Sequence, residues 1–80
     1  MDDWSTKPAN CRMDLRKLVG KNLRRLRHEL GLSQEELAFD AGLDRTYVSG
    51  VERGVRNPTV LIVGKLAKAL RVSPDVLLRQ

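Results

Sequence analysis

The stretch LGLSQEELAFDAGLDRTYVSGVERG, residues 30–54, decides the fold. Ser33 and Glu36 form an S-x-x-E pair, in which each side chain satisfies an orphan backbone N–H at a helix start. Leu37, Ala38 and Ala41 then fall on one inward face. Gly42 stops this helix, because glycine enters the left-handed conformation of a tight turn at little steric cost. Asp44 caps a second helix that runs to Arg53, with Gly54 just beyond. Val48 and Val51 point inward, and Leu43 anchors the turn. Arg45, Thr46, Ser49, Gly50 and Arg53 are left outside.

Toward the N-terminus, Leu15, Val19, Leu23, Leu26 and Leu30 recur at steps of four, four, three and four. That is one face of a helix running from about Asp14 to Gly31. Gly31 suits a C-terminal cap. Gly20 lowers helix propensity by up to about 1 kcal/mol, and its presence predicts close approach of a neighbour. Residues 1–12 show no periodicity and read as an arm outside a domain of residues 13–80. Trp4 in this arm either packs back onto the body or touches a partner; tryptophan gains most from burial, which favours packing.

Toward the C-terminus, Val55-Arg56-Asn57-Pro58 forms a loop leading to Thr59, the next N-cap. A fourth helix runs to about Leu70, with Val60, Val63, Leu66, Ala67 and Leu70 facing the core. Ser73 caps a fifth helix with Pro74 in its first turn, where a missing N–H costs nothing. The expectation is an all-α domain of five short helices.

Eighty residues make one domain. A domain this small buries only about 60% of the surface its unfolded chain exposes, so self-association often adds stability. One cysteine (Cys11) and one histidine (His28) exclude a disulfide framework and a zinc site, and no cofactor is expected. A lone thiol suits a reducing cytoplasm. No secretory segment or long apolar run is present, so neither export nor a membrane span is expected. The net charge is +5, from 15 basic and 10 acidic residues, which suggests a polyanionic partner. The surplus sits on the first helix, in Arg16, Lys17, Lys21, Arg24, Arg25 and Arg27. Three aromatic residues provide no platform for stacking single-stranded bases.

L-S-Q-E-E-L-A, then A-G-L, then S-G-V-E-R-G, then N-P-T resembles the Cro and phage-repressor type of helix-turn-helix protein, the xenobiotic-response-element family. The resemblance covers roughly residues 15–78. It implies a compact five-helix, lambda-repressor-like domain that binds double-stranded DNA, usually as a homodimer. LDRTYVSG also resembles the restriction–modification controller proteins.

The resemblance gives the exposed residues roles. Ser33 and Gln34 start the first helix of the motif, where free N–H groups favour phosphate. The family position of Gln34 holds the DNA backbone and braces the recognition helix. Arg45 is placed to donate two hydrogen bonds to guanine, Thr46 to offer its hydroxyl or methyl to a base, and Ser49 to follow one turn on. Gly50 is expected to leave room for the DNA. Tyr47 combines ring packing with a hydroxyl that can meet a phosphate, and Arg53, Arg56 and Asn57 are expected on the backbone. The family pairs a first-helix arginine with the glutamate of the recognition helix, which matches Arg27 and Glu52.

Helix four begins with the apolar run Val60-Leu61-Ile62-Val63. Either the helix is more buried than its relatives, or Leu61 and Ile62, with Leu77 and Leu78, form a two-fold dimer contact. A dimer sets two recognition helices about 34 Å apart, one DNA turn, and reads a palindrome or near-palindrome. The expected function is transcription regulation, repression included, by a cytoplasmic, nucleoid-associated protein. An enzyme is excluded, since no nucleophile, base and orienting group can be assembled. No small-molecule effector is evident. An antitoxin-type interaction module that also binds DNA is the alternative; a neighbouring toxin gene would mark it.

Overall fold

A computed structural model describes residues 14–80. The N-terminal arm, with Trp4 and Cys11, lies outside the described residues. Four α-helices follow in order: α1 Leu15–Glu29, α2 Gln34–Ala41, α3 Arg45–Glu52 and α4 Val60–Ala69. A 3-10 turn, Pro74–Leu78, closes the chain.

Each α-helix starts on a side-chain cap. Asp14 accepts the Arg16 N–H at 3.0 Å, Asp44 that of Thr46 at 2.8 Å, and Thr59 that of Ile62 at 3.2 Å. Ser33 and Glu36 close the reciprocal box at α2, with bonds of 3.0 and 2.8 Å. Gly42 ends α2 at φ 69°, and the Leu43 N–H returns to the Ala38 carbonyl at 2.8 Å. That pair of features makes the bend into α3 tight.

The expectation of a fifth α-helix is corrected: residues 74–78 form a 3-10 turn. The Ser73 hydroxyl does not cap a backbone N–H but donates to the Asp75 carboxylate. Five residues also cannot offset the cost of nucleating an α-helix, so i→i+3 bonds win.

α1 packs across α3 and the 3-10 turn, while α4 packs on α2 and the same turn. Leu23, Leu37, Val48, Val51, Leu66 and Leu77 are fully buried at their junction. Burying such a side chain contributes about 1.5–3 kcal/mol. Gly20 sets the spacing of α1 on α3. A β-carbon there would stand 2.4 Å from the Val51 carbonyl oxygen and 2.6 Å from that of Glu52. The neighbour that this glycine predicts is therefore the C-terminal half of α3. Buried Asn22 donates from Nδ2 to the carbonyls of Leu77 and Arg79, both at 2.8 Å, and ties the chain's end to α1.

Several apolar positions differ from expectation. Leu15 and Leu30 are exposed. α1 is roughly 22 Å long and α3 roughly 12 Å, at 1.5 Å per residue, so the two ends of the α1 stripe overhang their partners. Val60, expected in the core, is 88% exposed at the tip of α4. Leu77, expected on a dimer surface, is wholly buried, because the 3-10 turn aims it between α1 and α4. Ile62 is half-buried against the core, whereas Leu61 is 79% and Leu78 49% exposed. Among the described residues no helix is long and apolar enough to cross a membrane.

Candidate nucleic-acid interface

α3 is a short rod fixed from behind. Val48 and Val51 hold it in the core, and Arg45 and Thr46 stand exposed at its N-terminal end. The Thr46 hydroxyl donates to Asp44 Oδ1 at 2.6 Å. Its proton is thereby committed, and its lone pairs and methyl remain for an incoming group. The hydrogen bonds from the Thr46 hydroxyl and backbone N–H hold the Asp44 carboxyl below its ordinary range.

The acid of this helix is neutralised from α1. Arg27 Nε donates to Glu52 Oε2 at 2.6 Å and Nη2 to Oε1 at 3.0 Å, a bidentate pair with both side chains almost fully buried. Arg27 Nη1 donates to the Leu32 carbonyl at 2.8 Å. Gln34 Nε2 donates to Glu52 Oε1 at 3.0 Å. One carboxylate thus joins α1, the start of α2 and the end of α3. Its negative charge is matched before any polyanion approaches.

Ser33, Gln34 and Arg45 come together with Arg27 and Glu35 around a shallow, open cleft of about 580 Å³ between the N-terminal ends of α2 and α3. The Ser33 oxygen accepts from the Glu36 N–H, so the hydroxyl still has its own proton to donate. Arg45 makes no ion pair among the described residues.

Tyr47, Gly50 and Arg56 form a second group. The Arg56 guanidinium lies 6.0 Å from the centre of the Tyr47 ring. A β-carbon on Gly50 would stand 2.4 Å from Arg56 Cγ. Gly50 is buried, which corrects the expectation that it lies open for DNA. The space it leaves is filled by the stem of Arg56. Ser49 is half-buried, while Arg53 and Asn57 are exposed at and beyond the end of α3.

A third feature lies between α1 and the end of α3. Lys17, Lys21, Arg24, Arg25 and Arg53 line an open cleft of about 460 Å³, with His28 and the neutralised Glu52. Close approach of the two elements explains it: a β-carbon on Gly54 would stand 3.0 Å from Lys17 Cγ. Sequence reasoning placed the basic surplus on the first helix but did not join it to Arg53, since the contact spans residues far apart in the chain. It also missed Asn22, whose partners are backbone carbonyls and leave no trace in sequence. Among the described residues no cluster of three His, Cys, Asp or Glu side chains could hold a metal ion.

A short rod behind a tight turn, with its acid cancelled and its outer end basic, defines the helix-turn-helix class. The chain belongs to the helix-turn-helix family, whose pattern matches residues 23–77. It is 56% identical over 61 residues to an uncharacterized HTH-type transcriptional regulator of Sinorhizobium fredii, covering 76% of this chain and 79% of the relative. More specifically, it is similar to restriction–modification controller proteins. The crystal structure of C.AhdI from Aeromonas hydrophila superposes with a TM-score of 0.76 at 53% identity, covering 78% of this chain and 94% of that one. C.Esp1396I, solved as a tetramer in complex with its natural 35 base-pair operator, superposes with a TM-score of 0.73 at 41% identity, covering 79% of this chain and 83% of that one.

Proposed function

We propose that this chain is a sequence-specific, double-stranded DNA-binding regulator of transcription that acts as a homodimer on a palindromic or near-palindromic operator. The observation that carries this reading is the outer end of α3. Exposed Arg45 and Thr46 project from a helix whose only acid is already paired with Arg27 and Gln34. Arg45 reads guanine through two parallel hydrogen bonds, worth about 1–3 kcal/mol of discrimination. Thr46 and Ser49 read the neighbouring positions. Ser33 and Gln34 take a phosphate at the start of α2, and Arg53, Arg56, Asn57 and the Tyr47 hydroxyl take others. The operator complex of the similar controller protein supports the same reading.

Dimer formation rests on the apolar surface of α4 and the chain's end. Leu61 and Val60 are largely exposed and Leu78 is half-exposed, an arrangement that marks an interface. A cytoplasmic, nucleoid-associated location belongs to this reading, as does a role without catalysis.

Selection of bound sequences from random duplex DNA tests the function. The expected result is a symmetric site with guanine at one fixed position in each half. Loss of that guanine preference in Arg45→Ala, with the fold intact, is required. An unchanged preference refutes the assignment.

A further inference from the structure

Apart from Arg53, the residues of the cleft between α1 and the end of α3 have no part in the reading head. Four of the cleft's five cations form one strip: Lys17, Lys21 and Arg24 recur at i, i+4 and i+7 on α1, and Arg53 faces them from α3, while the fifth, Arg25, is paired with Glu29 at 3.1 Å. None of these four makes an ion pair among the described residues. The only acid lining the cleft, Glu52, has both oxygens occupied by Arg27 and one shared with Gln34. The surface is therefore a strip of uncompensated positive charge.

We infer that this strip is a second phosphate-binding track, engaging the DNA backbone beside the base pairs read by α3. It rests on the DNA-binding reading above. The cleft is open, and its lining offers cations spread over two turns of α1 rather than a cradle of backbone N–H groups, which fits a polyanion better than a small anion. No apolar side chain lines it, whereas protein partners need an apolar centre. No Phe, Tyr or Trp lines it either, so it meets backbone and not unstacked bases. Arg53 belongs to both surfaces, which makes the strip continuous with the reading head. Gly20 and Gly54 are the reason the two surfaces adjoin, because both let α1 sit against α3.

The test is the salt dependence of binding to the duplex that the parent selects. Each neutralised phosphate steepens the slope of log affinity against log salt by about 0.9. Replacing Lys17, Lys21 and Arg24 together by Gln keeps helix propensity and removes three charges. The slope becomes shallower by roughly 2–3 units, and the selected sequence is unchanged. If the Lys17 change unsettles its packing on Gly54, the double variant Lys21→Gln/Arg24→Gln serves, with an expected loss of roughly 2 units. On a duplex trimmed to the read base pairs, the parent's slope falls to that of the variant. An unchanged slope in a folded variant overturns the track and leaves the DNA-binding reading standing. Failure of the parent to bind any duplex overturns both. Competition by poly-glutamate as effective as random duplex at equal charge assigns the strip to an acidic protein and also overturns it.

Discussion

Arg56 lies across Gly50, with its Cγ 2.4 Å from where a β-carbon would stand. The glycine in the middle of the recognition helix is thus a seat for a side chain of the following loop. Gly50→Ala gains up to about 1 kcal/mol of helix propensity, and the cost of moving a flexible side chain is small. Thermal stability is expected to hold or rise, while the displaced Arg56 loses its place over Tyr47. DNA affinity falls about tenfold, which equals roughly 1.4 kcal/mol. In a double-mutant cycle the losses from Gly50→Ala and Arg56→Ala do not add. Full additivity refutes the coupling.

Gly20→Ala gives the opposite outcome for the same chemical change. Its neighbours are two backbone carbonyls, at 2.4 and 2.6 Å from the added carbon, and α3 must shift to admit it. Denaturant titration is expected to show a loss of about 1–3 kcal/mol despite the better helix former.

Arg27→Ala leaves the Glu52 carboxylate almost buried with only Gln34 for company. Breaking such a pair costs about 3–5 kcal/mol. The double change Arg27→Met/Glu52→Leu removes both charges and is expected to cost less than Arg27→Ala alone. A melting curve of each variant decides this.

Three hydrogen-bonded carboxylates set an acid limit: Asp14 and Asp44, which cap helices, and Asp75, which accepts from Ser73 and Arg79. Asp14, Asp44 and Asp75 are all held below the ordinary value of 3.8 by hydrogen bonds, led by Arg16, Thr46 and Ser73 respectively. Groups with a lowered folded value stabilise above the unfolded value and lose that contribution as pH falls through the folded one. The melting temperature is expected to decline below about pH 4. The gap between parent and Asp44→Ala should be full near neutrality and shrink with acid. A constant gap down to pH 2 argues against a capping carboxylate.

Leu61→Glu places a charge on the most exposed leucine of α4. Sedimentation is expected to show a monomer, and operator affinity drops far more than affinity for random duplex. A dimer unaltered by the change excludes this face.

The central motif was legible because its signals are local. Ser33 with Glu36, Gly42 and Asp44 each act within three residues, so spacing alone reveals them. The last turn misleads for a related reason: Ser73 and Pro74 look like a helix start, but the segment that follows is too short to propagate. Leu15 and Leu30 obey helical periodicity and are still exposed, since periodicity says nothing of where the opposing helix ends. Arg27 and Glu52 lie 25 positions apart, and no spacing rule joins them; only family resemblance did. The helix of Gly50 leaves its surroundings open, while the residue that fills its space, Arg56, comes from the next loop.

The two hydrogen bonds from Asn22 to the carbonyls of Leu77 and Arg79 have a metrological consequence. They clamp the chain's last turn to the same rod that seats α3 through Gly20. Subunits joined through Leu78 would then behave as a caliper with rigid jaws, whose gauge is set by one amide together with the buried Leu77. Loosening that amide would widen the tolerance for operator spacing without altering a single letter that each jaw reads.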